Sequence, residues 1–168
     1  MSSDEEKWCK QDEQYPEASL CVSKSVSPND ALPSYEYLLG LKDSIPEELY
    51  AYHFRRLLQF NTKNVTKEMR LKMFEGVKPE NIMFQDELDA IAGFDDYITA
   101  YRGTTPDEDV PGISWSLDRS VAEGTFYKGR LFEASIPKSN ILLYSMHQED
   151  EEEIIANVTS GFRIIDEG

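Results

Sequence analysis

The chain is 168 residues long, which is enough for one domain with a substantial core and too short for two domains of ordinary size. Hydrophobic residues make up 40% of it and aromatic residues 11%, a composition that excludes disorder along the whole chain. The 32 acidic residues against 17 basic ones give a formal net charge of -15, which argues against binding to nucleic acids or anionic membranes because both attract clustered positive charge.

The first part of the chain is polar and acidic. Residues 1–30 contain many carboxylates and no periodic apolar pattern, which predicts an acidic, flexible tail. The chain starts without the basic and apolar segments of a secretory signal, and it has no apolar run long enough to cross a bilayer as a helix. We therefore expect a cytoplasmic protein whose single α+β domain covers 31–168.

The segment 31–94 has the apolar spacing of helices. Ser44 and Glu47 are spaced as in a capping box, and Pro46 falls in the first turn, so a helix is predicted to start there. Two further helices are predicted over 66–75 and 79–92. The two histidines, His53 and His147, are distant in sequence and lack ligand spacing, so no metal site is predicted.

The segment 95–168 is predicted to be rich in strands. Its first strand, 97–103, places Ile98, Ala100 and Arg102 on one face by alternation. A short helix is predicted over 118–126, and further strands over 112–117, 130–136, 141–144, 153–158 and 162–165. Helices followed by strands predict an α+β fold with a mostly antiparallel sheet.

Arg102 is the first candidate functional residue. A guanidinium on the same face as core residues requires an anion nearby. An edge-strand arginine paired with a neighbouring carboxylate would explain it, and so would a bidentate grip on a phosphate or diphosphate. Gly103, which follows, permits the close approach of another backbone or a turn.

The segment Ser114-Trp115-Ser116 is the second candidate. Alternation places both hydroxyls on one face and the indole on the other, so Trp115 is predicted to anchor the strand while the serines line a cleft. Neither histidine stands in a motif that would activate a serine nucleophile. Asp118 is predicted to cap the short helix that follows.

The acidic run 149–153 is the third candidate, because it continues directly into Ile154 and Ile155. A solvated loop explains such a run simply. Carboxylates carried onto a strand would instead face each other, and Glu151 and Glu153 would share a face if the strand reaches back that far.

The order and spacing of these motifs resemble the mono-ADP-ribosyltransferases, whose Arg, Ser-x-Ser and Glu-x-Glu motifs lie in that order on strands of a split β-sheet around an NAD cleft. The resemblance covers about 97–165 and is closest to the arginine-directed branch and to short phage and bacterial transferase-like proteins with a W-[ST]-x-D-x-x-x-A segment, here Trp115 to Ala122. It implies N-terminal helices followed by that split sheet, and an NAD-dependent transferase that moves ADP-ribose to an acceptor macromolecule, with protein arginine as one candidate.

The resemblance also implies a role for each matching residue. Arg102, with Gly103, would hold the NAD phosphates and ribose, and Ser114 would support the cleft and help to place the catalytic carboxylate. Glu153 would be that carboxylate, and Glu151 would orient the incoming guanidinium. Ser116 would also line the NAD site, and Phe126, with its neighbour Tyr127, is the nearest aromatic candidate to stack on nicotinamide.

Two alternatives remain open from the sequence. Glu152 replaces Glu153 as the catalytic carboxylate if the strand begins one residue earlier. A non-enzymatic protein of the same fold class is the second alternative, with its acidic surface binding a basic partner or imitating nucleic acid.

Overall fold

The computed structural model describes residues 10–24, 29–148 and 151–167. It has an α+β fold in which helices precede a six-stranded antiparallel sheet, as predicted. The chain divides into two compact units, Met1–Ile82 and Met83–Gly168. The boundary therefore lies inside the helix predicted over 79–92, whereas the sequence predicts one domain over 31–168.

The first unit is helical. Its helices include α1 Pro16–Lys24, α2 Leu32–Leu41, α3 Glu47–Phe60, α4 Lys67–Phe74 and α5 Pro79–Ile82. Thr66 caps α4 by accepting a hydrogen bond from the Met69 amide at 3.1 Å. The capping box predicted at Ser44 is wrong, because Pro46 is the N-cap of α3 and the Glu47 carboxylate binds the Lys78 amide and the Asn81 side chain instead.

The segment predicted as a flexible tail contains α1, which packs against α2 and α3. Ala18 and Cys21, three residues apart on one helical face, are fully buried. Leu20 of the same helix is 48% exposed, so its apolar residues do not all belong to one face, which is why the sequence pattern of this segment is weak. Residues 1–9 and 25–28 of the predicted tail lie outside the described residues.

The core of the helical unit forms along an apolar stripe of α3. Tyr50, Phe54 and Leu57 are fully buried, and the Phe54 ring packs against the Phe74 ring with their centroids 4.7 Å apart. The Tyr50 hydroxyl donates a hydrogen bond to the main-chain oxygen of Met73 at 2.9 Å, which satisfies the one polar atom of that side chain. The stripe therefore ties α3 to α4.

The second unit contains the sheet and one helix that packs on it. The helix α6 Gln85–Ala92 packs against the fourth strand. The strands are β1 Tyr97–Thr104, β2 Ser114–Ser116, β3 Arg130–Pro137, β4 Ile141–Gln148, β5 Glu151–Ala156 and β6 Phe162–Asp166. A short helix, α7 Arg119–Val121, continues as a π-helix over Ala122–Phe126. No helix within the described ranges is long and apolar enough to cross a membrane.

The strands are ordered β4-β5-β2-β1-β3-β6, and every neighbouring pair is antiparallel. β1 and β3 are in register from Tyr97–Pro137 to Thr104–Arg130. β1 and β2, in contrast, are joined by one residue pair, Tyr101–Ser116. The sheet thus consists of two three-stranded halves that meet at a narrow junction.

The fully buried His53 predicts that stability falls in mild acid. Its Nε2 lies 3.0 Å from a carboxylate oxygen of Asp12. Burial lowers the pKa of His53, the hydrogen bond and charge of Asp12 raise it, the charge of Arg56 lowers it, and the net shift is downward from 6.5. The folded chain therefore binds this proton less readily than the unfolded chain, and the free energy of unfolding falls as the pH drops through about 6.5, by about 1.4 kcal/mol for each unit of pKa depression.

Denaturant unfolding of wild type and His53→Gln between about pH 7.5 and 5 measures this effect. We expect the variant to lose stability less steeply on the acid side. An identical slope in the two proteins would contradict the assignment.

Candidate functional site

One row of polar side chains crosses the sheet on a single face. The pairings join Ser145 to Glu153, Glu153 to Ser116, and Ser116 to Tyr101. Directly opposed residues of antiparallel strands point to the same face, with Cβ atoms about 5 Å apart. Glu153 therefore lies between two serines that are 29 residues apart in the chain, at positions 116 and 145.

The register distinguishes among the acidic residues of the run 149–153. Glu153 is half-buried and pairs with Ser116, whereas Glu152 is exposed and, by alternation, belongs to the other face. Glu151 is the first residue of β5 and pairs with Gln148, so the strand reaches back far enough to include both members of the Glu-x-Glu motif. Residues 149 and 150 lie outside the described residues.

The Ser-Trp-Ser segment forms β2 as predicted. Trp115 is 2% exposed and anchors the strand. The Ser116 hydroxyl donates to the Asp118 main-chain oxygen at 3.0 Å and accepts from the Asp118 amide at 3.1 Å. Asp118 in turn caps α7 by accepting from the Ser120 amide at 2.9 Å, as predicted. Ser116 thus ends the strand and positions the following turn.

Ser114 connects the two halves of the sheet through its main chain. It pairs with Ile155 in β5, and its main-chain oxygen accepts a hydrogen bond from Nη1 of Arg102 at 3.0 Å. The arginine strand, the serine strand and the glutamate strand are therefore neighbours in the order β1, β2, β5.

Arg102 does not join Glu153 on the polar face. It follows Tyr101 in β1, so alternation directs it to the opposite face, where it shares a side with Ala100 and with its partner in β3, Phe132. Its Nε and Nη2 both donate to the Glu108 carboxylate at 2.8 Å. Arg102 is thus paired with a local carboxylate, although it lies in an interior strand and not at the edge.

The Arg102–Glu108 pair organises the loop between β1 and β2. Burial raises the pKa of the Glu108 carboxyl, whereas the hydrogen bonds and charge of Arg102 lower it. Hydrogen bonds from Gly112 and Thr104 lower it further, so the pKa lies below the usual value of 4.5. A Cβ built on Gly112 would lie 2.7 Å from Nη2 of Arg102, so only a glycine lets the loop backbone approach the guanidinium this closely.

Gly103 also permits a close approach, in this case by the backbone of the π-helix. A Cβ built there would lie 2.6 Å from the Tyr127 nitrogen and 2.8 Å from the Phe126 carbonyl carbon. The π-helix Ala122–Phe126 therefore packs directly on β1, and its last residue, Phe126, is 43% exposed. The absence of a side chain at Gly103 permits this packing, while the Phe126 side chain is accessible to solvent.

A cavity of about 270 Å³ in the second unit does not include any of the predicted site residues. It is lined by the ends of β1 and β3 and by the loop 157–161, with neutral polar groups such as Asn140, Asn157 and Thr159. Ligand sites usually enclose about 300–1,000 Å³, and a diphosphate favours cationic groups, so this cavity does not fit a dinucleotide.

Sequence reasoning missed two features of the site. Glu108 lies in a loop without periodicity, and six residues from Arg102 is not a spacing that predicts contact. Ser145 belongs to a strand predicted to end at 144, whereas β4 continues to Gln148. Residues 141–146, Ile-Leu-Leu-Tyr-Ser-Met, do not alternate between apolar and polar, so no periodic signal extended the predicted strand to Ser145.

The bidentate pair predicts a specific cost for Arg102→Lys. Lysine keeps the charge but lacks the planar fork that holds Glu108 and the Ser114 oxygen, so we expect the free energy of unfolding to fall by about 1–2 kcal/mol. Denaturant unfolding measures the change, and NMR shifts of the Gly112 and Ser114 amides report the loop. Arg163→Lys is the control, because Arg163 is exposed, pairs with Glu133 and should change stability by under about 0.5 kcal/mol. Equal losses in both variants would count against a special role for Arg102.

Comparison with known proteins finds no relative: the chain matches no protein-family model, no curated protein and no solved structure. The motifs and the strand register are therefore the features of this chain that indicate a function. The feature that they bring together is a Ser-Trp-Ser strand lying between the arginine strand and the glutamate strand.

Proposed function

We propose that the chain is an NAD-dependent mono-ADP-ribosyltransferase, which transfers ADP-ribose from NAD to an acceptor protein and releases nicotinamide. The observation that carries the proposal is the direct pairing of Ser116 with Glu153. Two motifs that are 37 residues apart in sequence, at 116 and 153, become cross-strand neighbours on one face. The two-halved antiparallel sheet, with the arginine strand on the other side of β2, also supports a split-sheet transferase fold.

The chemistry needs a fixed anion beside the reacting ribose. The bond between C1′ and the nicotinamide nitrogen breaks with its electron pair moving to that nitrogen, so nicotinamide leaves as a neutral molecule without an acid. The remaining ribose passes through an oxocarbenium-like state. A carboxylate at Glu153 that accepts a hydrogen bond from the 2′-hydroxyl stabilises this positive charge, which exists mainly in the transition state.

The acceptor then completes the transfer. C1′ forms a bond to a nitrogen of the acceptor, and that nitrogen loses a proton. A second carboxylate on the same strand, Glu151, is proposed to orient an arginine guanidinium and to take up this proton. Water at the same position would give NAD hydrolysis.

Arg102 is proposed to bind the NAD phosphates, and two observations set conditions on that role: its side chain lies on the face of the sheet opposite Glu153, and its guanidinium is already paired. Nε and Nη2 form the fork that a phosphate would use, and both are bonded to Glu108. Phosphate binding at Arg102 therefore requires Glu108 to release the fork. Phe126, which is exposed on the π-helix next to β1, is the proposed aromatic contact for nicotinamide.

Neutralising Glu153 tests the proposal. We expect wild type to release nicotinamide from NAD and Glu153→Gln to reduce kcat about 100- to 1,000-fold, because the amide no longer offsets the developing charge. Glu152→Gln is the matched control, since it changes the neighbouring glutamate on the other face and should retain activity. Nicotinamide release is measured by chromatography, and circular dichroism establishes that each variant is folded.

The two glutamate variants distinguish between Glu153 and Glu152 as the catalytic carboxylate. Loss of activity in Glu152→Gln but not in Glu153→Gln would move the catalytic role by one residue. If the wild-type protein releases no nicotinamide at millimolar NAD, the proposal that it is a transferase is wrong.

Neutralising Glu151 tests the acceptor class. We expect Glu151→Gln to retain NAD hydrolysis, in which water is the acceptor. The same variant should lose at least about 90% of the transfer of labelled ADP-ribose to polyarginine, because the acceptor guanidinium is no longer oriented. A proportional loss of both reactions would contradict a role in acceptor binding.

The alternative function is a non-enzymatic interaction protein. The observation that favours it is the occupied fork of Arg102, together with the net charge of -15. Two results together would support this alternative. The wild-type chain would show no NAD activity, and a basic partner would co-purify with Glu153→Gln at low salt and dissociate at high salt.

A further inference from the structure

Ser145 lies beside Glu153 on the strand opposite Ser116. The pairing of β4 with β5 places Ser145 directly across from Glu153, and the same glutamate pairs with Ser116 on its other side. All three residues therefore belong to one face of the sheet. Ser145 is 3% exposed, so water does not reach its hydroxyl easily.

The Ser145 hydroxyl has no hydrogen-bond partner within the described part of the chain. Buried polar groups in folded proteins are nearly always hydrogen-bonded, so an orphaned hydroxyl at this position requires an explanation. The Ser116 hydroxyl differs, because it already donates its proton to the Asp118 oxygen. Of the two serines that flank Glu153, Ser145 is the one with a proton to offer.

We propose that Ser145 is a positioning residue for Glu153: its hydroxyl donates a hydrogen bond to the Glu153 carboxylate and holds it toward the substrate. The Cβ atoms of such an opposed pair are about 5 Å apart, a separation that a hydrogen bond between the two side chains can span. A hydrogen bond donated to a carboxylate stabilises its ionised form relative to its protonated form, and it also fixes one rotamer of the side chain. The catalytic consequence rests on the proposed function, whereas the contact itself does not.

The experiment compares Ser145→Ala with Ser145→Thr, which keeps the hydroxyl, and Ser145→Cys, which keeps the volume. Ser135→Ala is the control, because Ser135 is an exposed serine of β3. Nicotinamide release gives kcat and KM for NAD, and carboxyl NMR titration, assigned with Glu153→Gln, gives the Glu153 pKa. Thermal unfolding establishes that the variants are folded.

We expect Ser145→Ala to lower kcat about tenfold with KM for NAD within about twofold, as a lost hydrogen bond to a charged group predicts. The Glu153 pKa rises in Ser145→Ala and in Ser145→Cys, returns to the wild-type value in Ser145→Thr, and is unchanged in Ser135→Ala. A wild-type Glu153 pKa in both Ser145→Ala and Ser145→Cys would overturn the inference.

The result separates this inference from the proposed function. If wild type releases no nicotinamide, the transferase proposal fails, but a raised Glu153 pKa in Ser145→Ala still supports the Ser145 contact. If wild type is active while kcat and the Glu153 pKa of Ser145→Ala match it, the transferase proposal stands and the role of Ser145 is rejected.

Discussion

The register of β2 determines which carboxylate the candidate site presents. β2 has three residues and pairs with β5 on one side and β1 on the other. Because side chains alternate with a period of two, a slip of one residue would exchange Glu153 for Glu152 on the polar face. Trp115 and Ile154 are buried together on the other face, and burial of each such side chain stabilises by about 1.5–3 kcal/mol. Their burial resists the slip and so holds the polar row in place.

The narrow junction between the two halves of the sheet needs a second connection, and Arg102 provides it. One guanidinium reaches the Ser114 oxygen in β2 and the carboxylate of Glu108 in the loop that leads there. Arg130 donates to the main-chain oxygen of Glu108 at 2.8 Å, which ties the same loop to β3. The loop between β1 and β2 is therefore held by charged groups from two strands.

The sequence predicts which segments are strands but not which strands are neighbours. All six strands were located, the first by alternation and the others as short segments between turn residues. The order β4-β5-β2-β1-β3-β6 is not sequential, and a local pattern contains no information about it. The helix predicted over 79–92 is interrupted near Met83, and the loop partner of Arg102 is set by tertiary contact alone. Residue types at the site were thus predictable, whereas their partners were not.

The local balance of charge bears on the proposed phosphate site of this acidic chain. At 0.1 M salt the Debye length is about 10 Å, so the net charge of -15 is largely screened and nearby groups decide. A diphosphate that replaced Glu108 on Arg102 would exchange one anion for another, so the Arg102 guanidinium would still be paired with a negative charge. Glu108 would therefore compete with weak anions while yielding to a more highly charged one that binds both nitrogens of the fork.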